Sequence, residues 1–349
     1  MSIGNLRRPV SVQWLQLEKL LTEIAVITGA SAGIGRATAR EFASHGCKVA
    51  LLARGRAGLA AAASEVEHLG GEALIIPTDV ADHAAVERAA ERVVAEWGAI
   101  DIWVNNAFAG IFSRFTDMTP EEYRRVTDVT YMGQVHGTRA ALKRMLPRDH
   151  GSIVLVGSAL AYRGIPLQSA YCGAKHAVQG FLDSLRCELL HRNSKVRLTM
   201  VQLPGVNTPQ FDWVRAHVEG KPKPTGAVYQ PEVAARAIHF AARSGRKEVI
   251  VGAPALKAIW ADKLLSPLLD RYLGRTGFAG QQADEPVGPD RRDNLFAPLP
   301  GDHGAHGRFD RQARSSSLQL WATMNRTGLA AAAGVAALGL GLLVKARAT

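Results

Sequence analysis

Seven short runs dominated by Val, Ile and Leu punctuate the chain: "IAVIT" (24–28), "KVALL" (48–52), "ALIIP" (73–77), "IDIWVN" (100–105), "SIVLVG" (152–157), "VRLTMVQL" (196–203) and "EVIVG" (248–252). Near-continuous apolar character, without polar alternation, is what a parallel strand buried on both faces needs. Between the runs lie Ala-rich segments with the helical period, at 34–45, 55–69, 82–97, 120–146 and 169–192. Strand, helix, strand in repetition predicts an α/β fold: a doubly wound parallel sheet of about seven strands with right-handed crossovers.

The pattern changes after Gly252. Over 255–273 a helical stripe collects Leu256, Ile259, Trp260, Leu264, Leu268 and Tyr272, interrupted by Pro267. Residues 274–317 are rich in Gly, Asp, Arg and Pro and show no period, which predicts an extended arm or linker. Within it "GDHGAHG" (301–307) carries His303 and His306 without an accompanying acid or cysteine constellation, so it reads as a polar loop and no metal site is assigned. The block "GLAAAAGVAALGLGLLV" (328–344) has no charge; its 17 residues would span about 25 Å as a helix, the short limit for a bilayer core. Arg326 precedes it and Lys345 and Arg347 follow, and small residues recur four apart at Ala330/Gly334 and Ala337/Gly341. Two readings stand: a membrane helix, or a helix packed in an oligomer interface. The expected organisation is a leader at 1–21, an α/β domain at 22–253, a helical segment and polar arm at 254–317, and an apolar tail at 318–349. The leader has no continuous apolar stretch and no cleavage site, so no signal peptide is expected.

Composition narrows the classes. With 349 residues, 47% of them hydrophobic, the chain can bury a large core. Its formal charge of +11 suits anionic partners, but Lys and Arg are scattered rather than clustered with aromatics, which argues against nucleic acid. Cys47, Cys172 and Cys187 are odd in number and form no CxxC pair, as in a reducing compartment.

Chemistry first becomes legible at "TGASAGIG", Thr28 to Gly35, between the first strand and the first helix. Glycines at 29, 33 and 35 permit a tight turn, close approach to a pyrophosphate and tight helix–sheet packing, with the helix N-terminus facing the phosphates. This is a Rossmann-type nucleotide loop with TGxxxGxG spacing. The second strand ends "LLAR": Ala53 offers no acid for a ribose 2′-hydroxyl, whereas Arg54 can fork around a 2′-phosphate, which points to NADP(H).

Downstream, Asp79-Val80 follows the third strand, "NNA" (105–107) the fourth, Ser158 the fifth; Tyr171 stands four residues before Lys175, and Pro204-Gly205 follows the sixth strand. Tyr and Lys at that spacing share a helix face. A free tyrosine, with a pKa of about 10, exchanges protons poorly near neutrality, and an adjacent ammonium lowers that barrier. Taken together, these motifs over residues ~22–253 resemble the short-chain dehydrogenase/reductase family. The resemblance implies that Ser158 orients the substrate oxygen, Tyr171 exchanges its proton, and Lys175 stabilises the phenolate and holds the nicotinamide ribose. It further implies cofactor contacts at Thr28, Gly29, Ser31, Gly33, Ile34, Gly35 and Arg54, at Asp79 and Val80 beside the adenine, at Asn106 beside the adenosine ribose, and at Val206 and Thr208.

Three departures touch the pocket and the proton relay. Thr130 stands where many members carry a catalytic Asn, Phe108 replaces the glycine of NNAG, and Thr208 arrives one residue early. The expected activity is hydride transfer between NADP(H) and a ketone, aldehyde or alcohol. Apolar and aromatic residues in 159–168 and 206–216 suggest a lipophilic one. A homo-oligomer in the cytoplasm, attached to a membrane through the tail, is the expected setting. The rival reading is a nucleotide-sensing or scaffold protein of the same fold with little turnover, against which the intact Ser158, Tyr171 and Lys175 set argues and for which Thr130 is the one point. A sugar-nucleotide epimerase or dehydratase fits the loop spacing less well and needs a larger substrate domain.

Overall fold

The computed structural model describes residues 22–288, 290–332 and 334. The expected leader at 1–21 lies outside them, as does most of the apolar block 328–344.

Seven parallel strands form the central sheet: β1 (Ile24–Thr28), β2 (Lys48–Ala53), β3 (Glu72–Pro77), β4 (Ile102–Asn105), β5 (Ser152–Val156), β6 (Arg197–Gln202) and β7 (Glu248–Ile250). Their order is β7-β6-β5-β4-β1-β2-β3. All five residues of β1 and of β5 are buried, because helices cover both faces. The order reverses direction between β1 and β4, and a crevice opens there at the C-terminal strand ends. The covering helices are α1 (Gly33–Ser44), α2 (Arg56–His68), α3 (His83–Trp97), α4 (Pro120–Thr127), α5 (Gly133–Met145), α6 (Ser169–His191) and α7 (Pro231–Ser244).

The helix expected over 120–146 is two helices joined by one π turn, Asp128–Met132. Thr119 starts α4 through a capping box with Glu122. The π turn carries Thr130, whose hydroxyl donates to the Ala109 carbonyl and accepts from the Ala109 amide, both at 2.9 Å. This ties the helix pair to the loop that follows β4.

Beyond the sheet, α8 (Ala253–Thr276) is bent at Leu265, whose φ of −136° breaks the helix two residues before Pro267. The segment 274–317 is irregular, as its composition predicts, but it is docked on the domain. Gln282–Pro286 pairs antiparallel with Gly220–Pro222, and Phe309 packs with Phe112 and Phe211. Arg314 bridges to Tyr229. The segment grouped from sequence with the apolar tail begins with a docked helix, α9 (Leu318–Met324), capped by Ser317. Gln319 there accepts from the Gly252 amide at 2.7 Å and donates to the Ile250 carbonyl at 3.1 Å, at the β7 edge. Leu320 is 3% exposed in the core. Leu320→Ala is expected to cost about 2–5 kcal/mol of stability, the range for emptying a buried leucine site. Urea denaturation of the parent and variant measures it.

The transmembrane helix expected at 328–344 finds no support. Among the described residues no helix is long and apolar enough to cross a membrane. The described part of the block is Ala-rich and exposed, and alanine contributes little to insertion.

Candidate active site

The loop after β1 is held from behind. Thr28 Oγ1 donates to the Val104 carbonyl at 3.3 Å and accepts from the amides of Asn106 (2.9 Å) and Ala107 (3.0 Å), locking the end of β1 to the end of β4. Asn106 Nδ2 donates to the Thr28 carbonyl at 2.9 Å, so its amide braces the loop while the residue lines the adjoining cavity. Gly29 has φ +68°, a left-handed conformation suited to glycine. A Cβ at Gly35 would stand 2.1 Å from the Gly29 carbonyl oxygen, so α1 approaches the turn closely only because that atom is missing.

Gly29, Ser31, Gly33, Ile34, Arg54, Asp79, Val80, Asn106 and Thr208 line one cavity. Thr28 and Gly35 support it without lining it. At its far end Asp79 accepts from Arg125 Nη2 at 2.6 Å and from the Ala81 amide at 3.0 Å. Burial alone would raise the Asp79 pKa, but Arg125 and the Ala81 amide outweigh it and the carboxyl titrates below its usual range. Arg54 Nη1 donates to the carbonyls of Leu295 (3.2 Å) and Phe296 (3.0 Å), and Nη2 to that of Asn294. Asn294, Pro298, Leu299, Gly301 and His303 complete this wall, with His303 set edge-on against Trp213. Sequence reasoning missed these arm residues: those that hold Arg54 do so through backbone carbonyls, for which no residue pattern exists.

A second cavity, of about 410 Å³, holds Ser158, Tyr171 and Lys175 together. It shares Ile34, Asn106, Phe108 and Thr208 with the first, so the two are continuous. Ser158 caps the short helical turn after β5, accepting from the Leu160 amide at 3.2 Å. Tyr171 and Lys175 stand one turn apart near the start of α6, with Lys175 Nζ 5.6 Å from the Tyr171 ring centre. Phe108 meets the Tyr171 ring edge-to-face at 5.7 Å, so this departure from NNAG forms part of the wall around the phenol. Val206 lines this cavity rather than the first. The remaining wall is mostly apolar: Phe112, Leu160, Ile165, Phe211 and Val214, joined by Ala255, Leu269 and Leu273 of α8. The contribution of α8 was not read from the sequence, where its apolar stripe resembles any core-facing helix.

Burial dominates the electrostatics. Lys175 is 2% exposed, its Nζ donates to the Val156 carbonyl at 2.6 Å, and desolvation lowers its pKa to about 7. Burial pushes the Tyr171 phenol well above its usual value, while hydrogen bonding with Ser158 pulls it the other way. The phenol is therefore a proton-bearing group at neutral pH. The Thr130 hydroxyl has given its one proton to Ala109, so it has none to donate to a relay.

Comparisons with known proteins agree with this architecture. A family model described as short chain dehydrogenase matches residues 23–219. The chain is 34% identical over 291 residues to the uncharacterized oxidoreductase YxnA of Bacillus subtilis, covering 83% of this chain and 82% of the relative. It is 33% identical over 241 residues to the putative oxidoreductase SadH of Mycobacterium tuberculosis, covering 67% and 87%. Among solved structures it resembles a metagenomic short-chain oxidoreductase in complex with NADP (29% identity, TM-score 0.56). It also resembles an alcohol dehydrogenase from the archaeon Thermococcus sibiricus complexed with 5-hydroxy-NADP (26% identity, TM-score 0.57). Each match covers 66% of this chain and 96% of the other, so the solved proteins are matched almost whole while a third of this chain lies outside. With a glycine loop at the sheet's reversal point, a Ser, Tyr and Lys gathered in the adjoining cavity, and a family match across more than half its length, the chain belongs to the short-chain dehydrogenase family of oxidoreductases.

Proposed function

We propose that this oxidoreductase moves hydride between NADP(H) and a lipophilic ketone, aldehyde or alcohol, with Ser158, Tyr171 and Lys175 as its catalytic residues. The observation that carries the reading is the position of the three side chains in an apolar cavity continuous with the glycine-lined one. A dinucleotide suits the residues present: the close approach of Gly29 and Gly35 leaves no side chain over the loop, and Arg54 supplies a cation at the end of β2. Both solved relatives are complexes with NADP or a derivative of it.

The nicotinamide, when bound, supplies or receives the hydride. Everything else belongs to the chain. Ser158 donates a hydrogen bond to the substrate oxygen and fixes its direction, its own hydroxyl oxygen held in place by the Leu160 amide, from which it accepts. Tyr171 gives its phenolic proton to that oxygen in reduction and takes one back in oxidation. Lys175, once protonated, steadies the phenolate from the same helix face. The apolar wall keeps water from the reacting carbon and selects a lipophilic substrate. A cytoplasmic setting gives access to the nicotinamide pool this reading needs. Self-association belongs to the same reading and is supported by the exposed Trp260, Leu264 and Leu268 on α8.

The test is consumption of NADPH and NADH against a panel of lipophilic ketones, aldehydes and steroids, by the parent and by Arg54→Ala. We expect NADPH to be preferred about ten- to a hundredfold, the worth of a charge-assisted pair with the 2′-phosphate, and the variant to lose that preference. Equal use of the two by the parent refutes the NADP assignment. A second reading, a nucleotide sensor with little turnover, draws on the Thr130 hydroxyl being committed to Ala109. Tight NADPH binding without turnover across the panel would support it.

A further inference from the structure

We propose that residues 294–304 form a latch across the cofactor's phosphate positions, released when a 2′-phosphorylated dinucleotide binds. The inference rests on the cofactor reading above and adds a conformational step to it.

Two groups suited to holding phosphates have arm carbonyls as partners. The Arg54 guanidinium donates to the carbonyls of Asn294, Leu295 and Phe296. The Gly33 amide, in the first turn of α1 where pyrophosphate charge would be met, donates to the Gly304 carbonyl at 3.1 Å. A phosphate oxygen and a carbonyl oxygen cannot occupy one donor direction together, so the latch and the phosphates compete.

The latch is tethered on both sides by residues outside it. Before it, Asp293 pairs with Arg215 at 2.9 Å. After it, Asn207 donates to Asp310 at 2.8 Å and accepts from the Phe309 amide at 2.9 Å, with Phe309 buried. Between these anchors most residues are exposed; only Leu295 is buried before the polar clasp of Asp302 on Arg36. A segment held by polar contacts with little buried apolar area opens at low cost. Arg54 meets the carbonyls as a cation facing neutral dipoles, whereas a 2′-phosphate brings full opposite charge and a bidentate geometry, so it wins Arg54 from the latch. A dinucleotide without that phosphate competes only at the Gly33 amide and leaves the Arg54 contacts in place. The latch therefore sharpens the choice between the two cofactors.

Hydrogen exchange of the full chain tests this, with binding of each dinucleotide followed on the same samples by nicotinamide fluorescence. With NADPH bound, peptides covering 294–300 are expected to take up deuterium at least about threefold faster. With saturating NADH, whose pyrophosphate competes only for the Gly33 amide, those peptides are expected to change little and any gain to be confined to the stretch around Gly304. Unchanged or slower uptake with NADPH bound overturns the latch and leaves the cofactor reading standing. If neither dinucleotide binds, both readings fail. Asp302→Asn provides a second measurement, since Arg36 keeps Glu65 at 2.9 Å. Weakening the clasp should raise the NADPH association rate in stopped flow at least about threefold, and an unchanged rate counts against the latch.

Discussion

Tyr171→Phe lowers turnover by about 10²–10⁴-fold, the usual worth of a positioned proton donor, while NADPH affinity stays within about twofold. The substitution removes one oxygen from the second cavity and leaves the glycine loop, Arg54 and Asp79 untouched. Ring packing against Phe108 is retained, so stability should hold. Single-turnover kinetics with the best substrate, together with a fluorescence titration of NADPH, separate the two effects. Turnover within threefold of the parent would remove Tyr171 from the mechanism. A parallel loss of NADPH binding would mean that the substitution disturbed the site as a whole.

Lys175→Met abolishes turnover and at the same time stabilises the fold. In the folded chain Lys175 has its pKa lowered from 10.5 to about 7 by burial. Between those values the unfolded chain holds a proton that the folded chain does not, so stability rises with pH across that window. Below about pH 7 the full cost of burying the ammonium is present, on the order of 3–5 kcal/mol from the shift. Methionine removes the titrating group, and the Val156 carbonyl keeps a donor in Gln134 Nε2 at 3.3 Å. Chemical denaturation at pH 6.5 and pH 9.5 should show the parent gaining stability with pH, the variant gaining much less, and the variant ahead at the lower pH. A variant less stable than the parent at pH 6.5 would show that the amine stabilises the fold. The expected result, a variant more stable than the parent at pH 6.5, would mark a stability cost carried at the candidate active site for function.

The β1 run, the glycine loop and the Tyr171/Lys175 pair were legible because each depends on near neighbours. Parallel strands need unbroken apolar runs, a tight turn needs glycine, and one helix face needs a spacing of four. Arg54 was legible only in part. Its place at the end of β2 followed from the strand pattern, but its partners are carbonyls 240 to 242 residues away. The same holds for Thr130: its type was visible as a departure, yet its commitment to Ala109 depends on a π turn inside an apparently continuous helical period.

The sequence by itself therefore determined the order of strands and helices, the nucleotide loop and the chemical identity of the candidate catalytic side chains. Tertiary structure alone decided that an unpatterned arm closes the wall of the glycine-lined cavity, that α8 lines the cavity of Ser158, Tyr171 and Lys175, and that Lys175 is buried deeply enough to titrate near 7. Local periodicity records which face of an element is apolar, but it does not record what covers that face. Every peptide unit carries the same carbonyl, so contacts made by backbone oxygen leave no signature in residue type. Desolvation, likewise, is set by the atoms that surround a group, and those come from distant parts of the chain.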